Sequence, residues 1–600
     1  MKPRARPFDL RLRLMVLGGV LAACGVALVG RAAQLQLFNQ DFYQHQGDAR
    51  FLRELPIATS RGMIMDRNGE PLAVSTPVES VWANPRELLQ HPESMPQLAQ
   101  ALGIPQDALT QRIAQRAGKE FVYLRRHINP DDADAVVGLG IPGVYSQREF
   151  RRFYPHGEVL AHVLGFTNID DRGQEGLELA FDDWLTGKPG AKRVIRDRRG
   201  RIVENVDLIR AAEPGKDLTL SIDRRIQYLA YRELKSALIE NDALSGSAVI
   251  LDVATGEILA MVNQPSYNPN SRESAETDAR RNRAVTDVVE PGSVIKPFTV
   301  AAALESGVNP NIVIQTSPGK MQLGKYTISD VRDHGPVTLT TLLATSSNIG
   351  AAKLGLDMSS EHLFDVLTRF GYGDSTHSGF PGESSGVLAP PQTWGLVKRG
   401  TISYGMGLSV TPMQIAQAYA ALANNGRMMP PTFIKGGLNP GRQVIDPRLA
   451  HDVLAMLESV TQPGGTAPNA AITGYHVAGK TGTARQASGG GYARRYVSVF
   501  AGVVPMNHPK FAMVVVISNP RGRSYFGALV SAPVFHNVME GALRLMDVPP
   551  DHIEQWYAAE KDSLPASAAA PEAPAAAAAD AIPAAAAEAD DAAETTEALR

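Results

Sequence analysis

Apolar and polar positions divide this chain into segments with different periods. Residues 14–30 carry no charged side chain, and Arg31 closes the run. Seventeen residues at about 1.5 Å each make roughly 26 Å of helix, the short end of what crosses a bilayer. Residues 34–215 mix short alternating runs with turn signals, as a mixed α/β module does. Within them, residues 61–75 read as strand, Asn68-Gly69 hairpin turn and strand. Residues 218–221 predict a short strand, after which Asp223 caps a helix to about Leu238. Residues 247–252 and 257–262 pair across Thr255-Gly256, and residues 411–425 are helical. Two further apolar strands, 496–504 and 511–517, flank a polar turn at Asn507-His508-Pro509. Strands at both ends with helices between predict one antiparallel sheet, completed by the returning chain and covered by helices.

Composition adds the boundaries. A chain of 600 residues, 44% apolar, has room for two or three domains with sizeable cores. Its net charge of −3 gives no overall drive toward nucleic acid. The charge is uneven, however: residues 1–13 carry +4, residues 561–600 carry −6, and everything between carries −1. The basic head predicts an anchor with its N-terminus in the cytoplasm and the bulk of the chain across the membrane. Nineteen of the last forty residues are Ala, interspersed with Pro and acids. Such a segment cannot bury a core and is predicted to be disordered. The expected organisation is a basic tail (1–13), a transmembrane anchor (14–33), an N-terminal module (34–215), a second domain (216–548) and an acidic Ala/Pro tail (549–600). No repeat of 20–50 residues interrupts this order.

The single cysteine excludes an intrachain disulfide and any Cys-built metal centre. Cys24 lies inside the apolar run, where Leu21-Ala22-Ala23-Cys24 also matches a lipoprotein cleavage box. Against processing, the run stays apolar to Gly30, where a mature N-terminus would turn polar. An uncleaved anchor is the favoured reading, with lipidation or cleavage as the alternative. The thirteen histidines form no H-E-x-x-H pattern, so no metal or cofactor is expected. The run Arg196-Asp197-Arg198-Arg199-Gly200-Arg201 reads as a solvated basic turn. Gly489-Gly490-Gly491 lacks a phosphate-binding pattern and reads as a flexible loop.

Candidate chemistry lies in three short motifs in a fixed order. Ser293-Val294-Ile295-Lys296 opens an apolar helical run to about Leu304, Ser346-Ser347-Asn348 begins 53 residues later, and Lys480-Thr481-Gly482-Thr483 begins 134 residues after that in a strand-like stretch. Each motif alone is weak, and the chain holds decoys. Ser317-Pro318-Gly319-Lys320 repeats the first spacing, but its Pro-Gly centre cannot hold a helical turn. Ser266-Tyr267-Asn268 repeats the second but precedes the first. Serine at its ordinary pKa is a poor nucleophile and needs an adjacent base. Positions i and i+3 of a helix share a face, so Ser293 and Lys296 are within reach of each other. The positive end of the helix dipole favours negative charge on Ser293 and disfavours a second positive charge on Lys296, as would Lys480 nearby.

The triplets resemble those of the active-site serine penicillin-recognising enzymes. Arg281-Asn282-Arg283-Ala284-Val285-Thr286-Asp287 leading into Glu290-Pro291-Gly292, and Tyr404-Gly405-Met406-Gly407 with Thr411-Pro412-Met413-Gln414, are similar to class B penicillin-binding proteins. So are the 61–75 hairpin, Arg152-Phe153-Tyr154-Pro155 and Gly173-Gln174-Glu175-Gly176-Leu177-Glu178, which match that family's pedestal module. With the anchor, the resemblance is to the division-specific members and covers about residues 10–545. It implies an α+β fold: a serine β-lactamase/transpeptidase-like domain, an antiparallel sheet with helices, on a pedestal.

By resemblance, Ser293 attacks the carbonyl between the terminal D-alanines of a peptidoglycan stem peptide, and Lys296 is the general base. Ser346 relays the proton, held with Asn348 and Lys480. The N–H groups of Ser293 and Thr483 form the oxyanion hole, and Thr481, Gly482 and Thr483 bind the substrate. The implied partners are donor and acceptor stem peptides, β-lactams, an FtsW-type glycosyltransferase with other divisome membrane proteins, and the inner membrane, with a periplasmic catalytic domain. Residues 34–215 lack the acidic motif of a fused glycosyltransferase. The competing readings are an elongation-type enzyme, a β-lactamase or D,D-carboxypeptidase, and a non-catalytic β-lactam sensor or scaffold. A free β-lactamase needs neither anchor nor pedestal, and a scaffold has no use for Lys296 and Ser346.

Overall fold

Apolar residues without a polar face form one helix, α1 (Leu10–Ala33), in the computed structural model of the chain, which describes residues 10–35, 52–196, 202–271, 277–437, 440–488, 491–551 and 553–554. It is long and apolar enough to cross a membrane, and Cys24 is exposed on it.

The next segment forms two larger sheets and a two-stranded ribbon of Phe166–Thr167 with Gly173–Glu175. Strands β1 (Leu52–Ile57), β2 (Ile64–Met65), β3 (Pro71–Ala83), β4 (Val122–Ile128), β5 (Val144–Phe153), β6 (Gly190–Arg196), β7 (Ile202–Arg210) and β8 (Leu218–Thr219) follow in chain order. One sheet has the order β1-β6-β7; the other has β8-β2-β3-β4, with β5 also paired to β3. The expected hairpin is present but lopsided. Ile64 faces Ala73, and the Asp66 carboxylate accepts the N–H groups of Asn68 (2.7 Å) and Glu70 (2.9 Å). Gly69 takes φ +88°, which the turn requires. β2 is only two residues long and pairs on its other edge with β8 in parallel, whereas β3 continues to Ala83. Val81, Leu88, Leu98, Leu109, Ile113, Val122 and Val136 form a separate core on the outer side of this module.

The C-terminal domain contains α2 (Arg224–Glu240), β9 (Ser245–Asp252), β10 (Ile258–Gln264), α3 (Lys296–Glu305), α4 (Leu339–Thr345), α5 (Asn348–Asp357), α6 (Pro412–Ala423), β11 (Ala478–Ser488), β12 (Gly491–Val504), β13 (Phe511–Ser518) and α7 (Ala532–Leu545). Asp223 caps α2 as expected, accepting the Arg225 N–H at 2.9 Å. The sheet is antiparallel in the order β10-β9-β13-β12-β11. Strands adjacent in sequence at either end thus meet in the middle, as the hydrophobic pattern predicts. α2 and α7 pack on each other and on the sheet, and α6 packs on its other side. With both faces covered, every residue of β9 and β10 is buried.

The two domains share one apolar core that runs from Ile64, Leu72, Leu164 and Leu177 into the sheet. Gln227 of α2 crosses the junction, donating to the Val159 and Met261 carbonyls at 2.9 Å each. The folded part extends slightly beyond the expected boundary at 548. Tyr475 donates to the Val548 carbonyl (2.7 Å), and Asp551 accepts the His476 N–H (2.9 Å). The predicted basic turn at 197–201, glycines 489–490 and most of the acidic tail (555–600) lie outside the described residues.

Candidate active site

The segment entering the site is fastened on both sides. Val289 and Val410 exchange N–H···O bonds of 2.9 Å, and Gly292 donates to the Gly405 carbonyl at 3.1 Å. The chain then turns through Gly292, at φ +58°, into a 3-10 turn over Gly292–Ile295 that runs on into α3. The expected α-helix from Ser293 is therefore corrected in detail: the α-helix proper begins at Lys296. Because a 3-10 turn has three residues per turn, Ser293 and Lys296 are nearly eclipsed, which aligns them more closely than an α-helix would. Tyr419 of α6, fully buried, donates to the Val294 carbonyl at 2.9 Å and supports the turn from below.

The second motif is a corner between helices. Ser346 ends α4 in a left-handed conformation (φ +60°), and Ser347 caps α5 by accepting the Gly350 N–H at 3.0 Å. This corner delivers two side chains to one amine. Lys296 Nζ donates to the Ser346 carbonyl (2.5 Å), Ser346 Oγ (3.1 Å) and Asn348 Oδ1 (2.8 Å). The third motif lies on β11, an edge strand. Lys480 Nζ is directed to the Thr481 carbonyl and hydroxyl at 3.3 and 3.4 Å. Thr483 Oγ1 accepts the Gly527 N–H at 3.2 Å, which leaves its own hydroxyl proton free to donate elsewhere.

Both lysines are fully buried. Burial pushes Lys480 down to about 7. Lys296 falls well below the ordinary lysine range, first through burial and then through the charge of Lys480, while the Asp330 carboxylate opposes the fall. A neutral amine at neutral pH can accept a proton, which an ordinary surface lysine does poorly.

Above these groups opens a cleft of about 870 Å³, whose lining includes Ser293, Ser346, Asn348, Thr481 and Thr483. Gly482 is absent from that lining. A Cβ there would stand 2.8 Å from the Pro291 carbonyl oxygen, so Gly482 lets the strand close onto the turn that carries Ser293. Five of the eight expected site residues thus face the cleft, the two lysines are buried beside it, and Gly482 packs against its wall. The decoys are elsewhere: Ser266 Oγ donates to the Glu158 carbonyl and Ser317 Oγ to Asp333.

Sequence reasoning missed several contributors. Asp330 binds the Ser347-Asn348 corner from the loop after Tyr326–Ser329, a stretch with no motif of its own. Gly405 abuts Gly292 so closely that a Cβ would lie 2.0 Å from its carbonyl oxygen. Gly405 stood inside a quoted motif, but nothing local indicated what it touches. Arg332, His334 and Arg485 also line the cleft, which among the described residues has no Asp or Glu in its lining and so suits an anionic ligand.

A model of the penicillin binding protein transpeptidase domain matches residues 246–540, and a model of the penicillin-binding protein dimerisation domain matches residues 56–220. The peptidoglycan D,D-transpeptidase FtsI of Escherichia coli is 45% identical over 547 residues, 90% of this chain and 92% of that protein. The probable peptidoglycan D,D-transpeptidase PbpC of Pseudomonas aeruginosa is 44% identical over 547 residues, 91% of this chain and 96% of that one. Among solved structures, penicillin binding protein 3 from Mycobacterium tuberculosis, complexed with aztreonam, aligns with a TM-score of 0.65 and 29% identity, covering 83% of this chain and 98% of that one.

Proposed function

Since the chain belongs to the class B penicillin-binding proteins and is a peptidoglycan D,D-transpeptidase, we propose that Ser293 is its acylating nucleophile and that it forms 4→3 cross-links at the division septum. The observation that carries this reading is the buried amine of Lys296, one helical turn from Ser293 and bonded to both Ser346 and Asn348.

In acylation, Ser293 Oγ bonds to the penultimate D-alanine carbonyl carbon and its proton passes to neutral Lys296. The N–H groups of Ser293 and Thr483 receive the oxyanion. Thr483 lies on an edge strand, whose outer backbone groups no strand among the described residues occupies. The C–N bond to the terminal D-alanine then breaks, and the proton returns through Ser346 to the departing amine. Thr481 and Thr483 hydroxyls hold the terminal carboxylate. An acceptor amine from a neighbouring stem peptide takes the acyl group, releasing Ser293. A β-lactam offers the same carbonyl and carboxylate but leaves no departing amine, so the ester persists.

The same proposal assigns residues 34–215 to a pedestal and 216–548, extended to Asp551, to the catalytic domain. It also places α1 uncleaved in the inner membrane, with its N-terminus in the cytoplasm and the domains in the periplasm. Support comes from the basic head and the apolar helix. Glycan polymerisation falls to an FtsW-type membrane partner and the other divisome proteins. The test is Ser293→Ala: covalent labelling by a fluorescent penicillin is lost, while the protein stays folded and in the membrane fraction. Retained labelling overturns the assignment.

A further inference from the structure

We propose that Asp330 is a positioning residue for acylation, acting as clamp for the Ser346–Asn348 corner and as counter-charge to buried Lys296. The proposal rests on the reading of Lys296 as the base.

Asp330 follows a hairpin of Lys320–Leu323 and Tyr326–Ser329 that folds beside the cleft. Its Oδ1 accepts the N–H groups of Asn348 (2.5 Å) and Ile349 (3.1 Å), and its Oδ2 accepts the Ser347 hydroxyl (2.6 Å). One carboxylate thus takes three donors at the first turn of α5, where the helix dipole also favours negative charge. Capping alone does not call for it, because Ser347 already accepts the Gly350 N–H. The extra bonds act where the backbone is least comfortable. Ser346 has φ +60°, a conformation costly for a non-glycine residue, and it persists only if its surroundings hold it. That conformation places the Ser346 carbonyl and hydroxyl on Lys296 together. If the corner relaxes, Lys296 loses its contacts with Ser346 and Asn348 at once.

The charge has a separate effect. Lys296 is acted on by Lys480 from β11, which disfavours its ammonium form, and by Asp330, which favours it; Ser346 and Asn348 are neutral. Asp330 therefore keeps a buried amine basic enough to take the Ser293 proton. Removing its charge lowers the Lys296 pKa further. The acid limb of the rate profile, where Lys296 becomes protonated, then moves to lower pH.

The experiment measures the second-order rate of acylation by a fluorescent penicillin from pH 5 to 9, in the wild type, Asp330→Asn and Ser347→Ala. Asparagine retains an oxygen for the backbone N–H groups, and full labelling at long times confirms that the variant folds. The expected result for Asp330→Asn is an acid limb shifted down by about half a pH unit, roughly threefold in the acid constant. The plateau also falls, by up to about threefold, as the base weakens. Ser347→Ala keeps the charge and loosens the clamp, so its plateau falls while its limb stays in place. A limb in Asp330→Asn that coincides with the wild type overturns the proposal, as does an unchanged plateau in Ser347→Ala. A Lys296→Arg variant that is acylated at the wild-type rate overturns Lys296 as the base, and the proposal with it.

Discussion

At the scale of single residues, the site depends as much on what is absent as on what reacts. Gly405 has φ +88°, and a Cβ there would overlap the Gly292 carbonyl oxygen at 2.0 Å. Both the conformation and the space exclude a side chain, and the atom that would have to yield lies next to Ser293. Gly405→Ala is therefore expected to cost more than about 2 kcal/mol of stability. It should also slow penicillin acylation by about 100-fold, since a displacement of about 1 Å at the nucleophile is enough for that. Thermal melting and labelling kinetics measure the two effects, and an alanine variant with wild-type kinetics would disprove the close-packing argument. Lysine burial works in the same local way. Lys296 and Lys480 lose their solvent and repel each other, so chemistry becomes available that their side chains lack in water.

Between elements, the pedestal is organised round a buried charge cluster assembled from three distant segments. Arg61, ahead of β2, and Arg152, in β5, each place Nε 2.6 Å from a different oxygen of Glu178. Arg61 also reaches Asp182 at 2.6 Å, and Arg152 donates to the Gly62 carbonyl at 2.8 Å. All three of these central side chains are at most 1% exposed. Two guanidinium groups on one carboxylate form a geometry that holds only while all three are present. Glu178→Gln leaves both arginines buried without their counter-charge, at an expected cost of about 3–5 kcal/mol. The melting temperature falls accordingly, while the acylation rate of the molecules still folded is unchanged, because the cluster does not touch the cleft. A rate that falls with the melting temperature unaltered would contradict this purely structural role.

For the whole molecule, the two domains behave as one body because the core crosses between them. Tyr267 of the catalytic domain packs edge-on against His162 and Phe166 of the pedestal, with its hydroxyl on the Ala161 carbonyl at 3.2 Å. Asn282, on the segment leading to the nucleophile turn, donates to the His162 carbonyl at 3.1 Å. A chain lacking residues 1–35 keeps this core and is expected to remain in solution without detergent, labelled by penicillin at the wild-type rate. A chain lacking residues 1–215 uncovers Tyr267 and Leu220 and is expected to melt at a lower temperature. Equal melting of the two fragments would show that the shared core adds no stability.

Local pattern alone determined much of this protein. The apolar N-terminal helix, the capped helix after Asp223, the two hairpins of the sheet and the three motifs that meet at the cleft were all legible, because each depends on periodicity, turn chemistry or spacing within a few residues. The order and roles of the motifs came from resemblance. Tertiary structure decided the rest, for a single reason: the contacts join positions far apart in the chain, and local sequence carries no record of them. Asp330 became part of the site only when its loop met α5, and Gly482 became a packing residue only when β11 met Pro291. The 3-10 turn at Ser293 likewise reflects fastening by Gly405 and Tyr419 from other elements. Sequence specified which groups the fold brings to the cleft, and tertiary packing set how far each one's charge and geometry depart from their values in water.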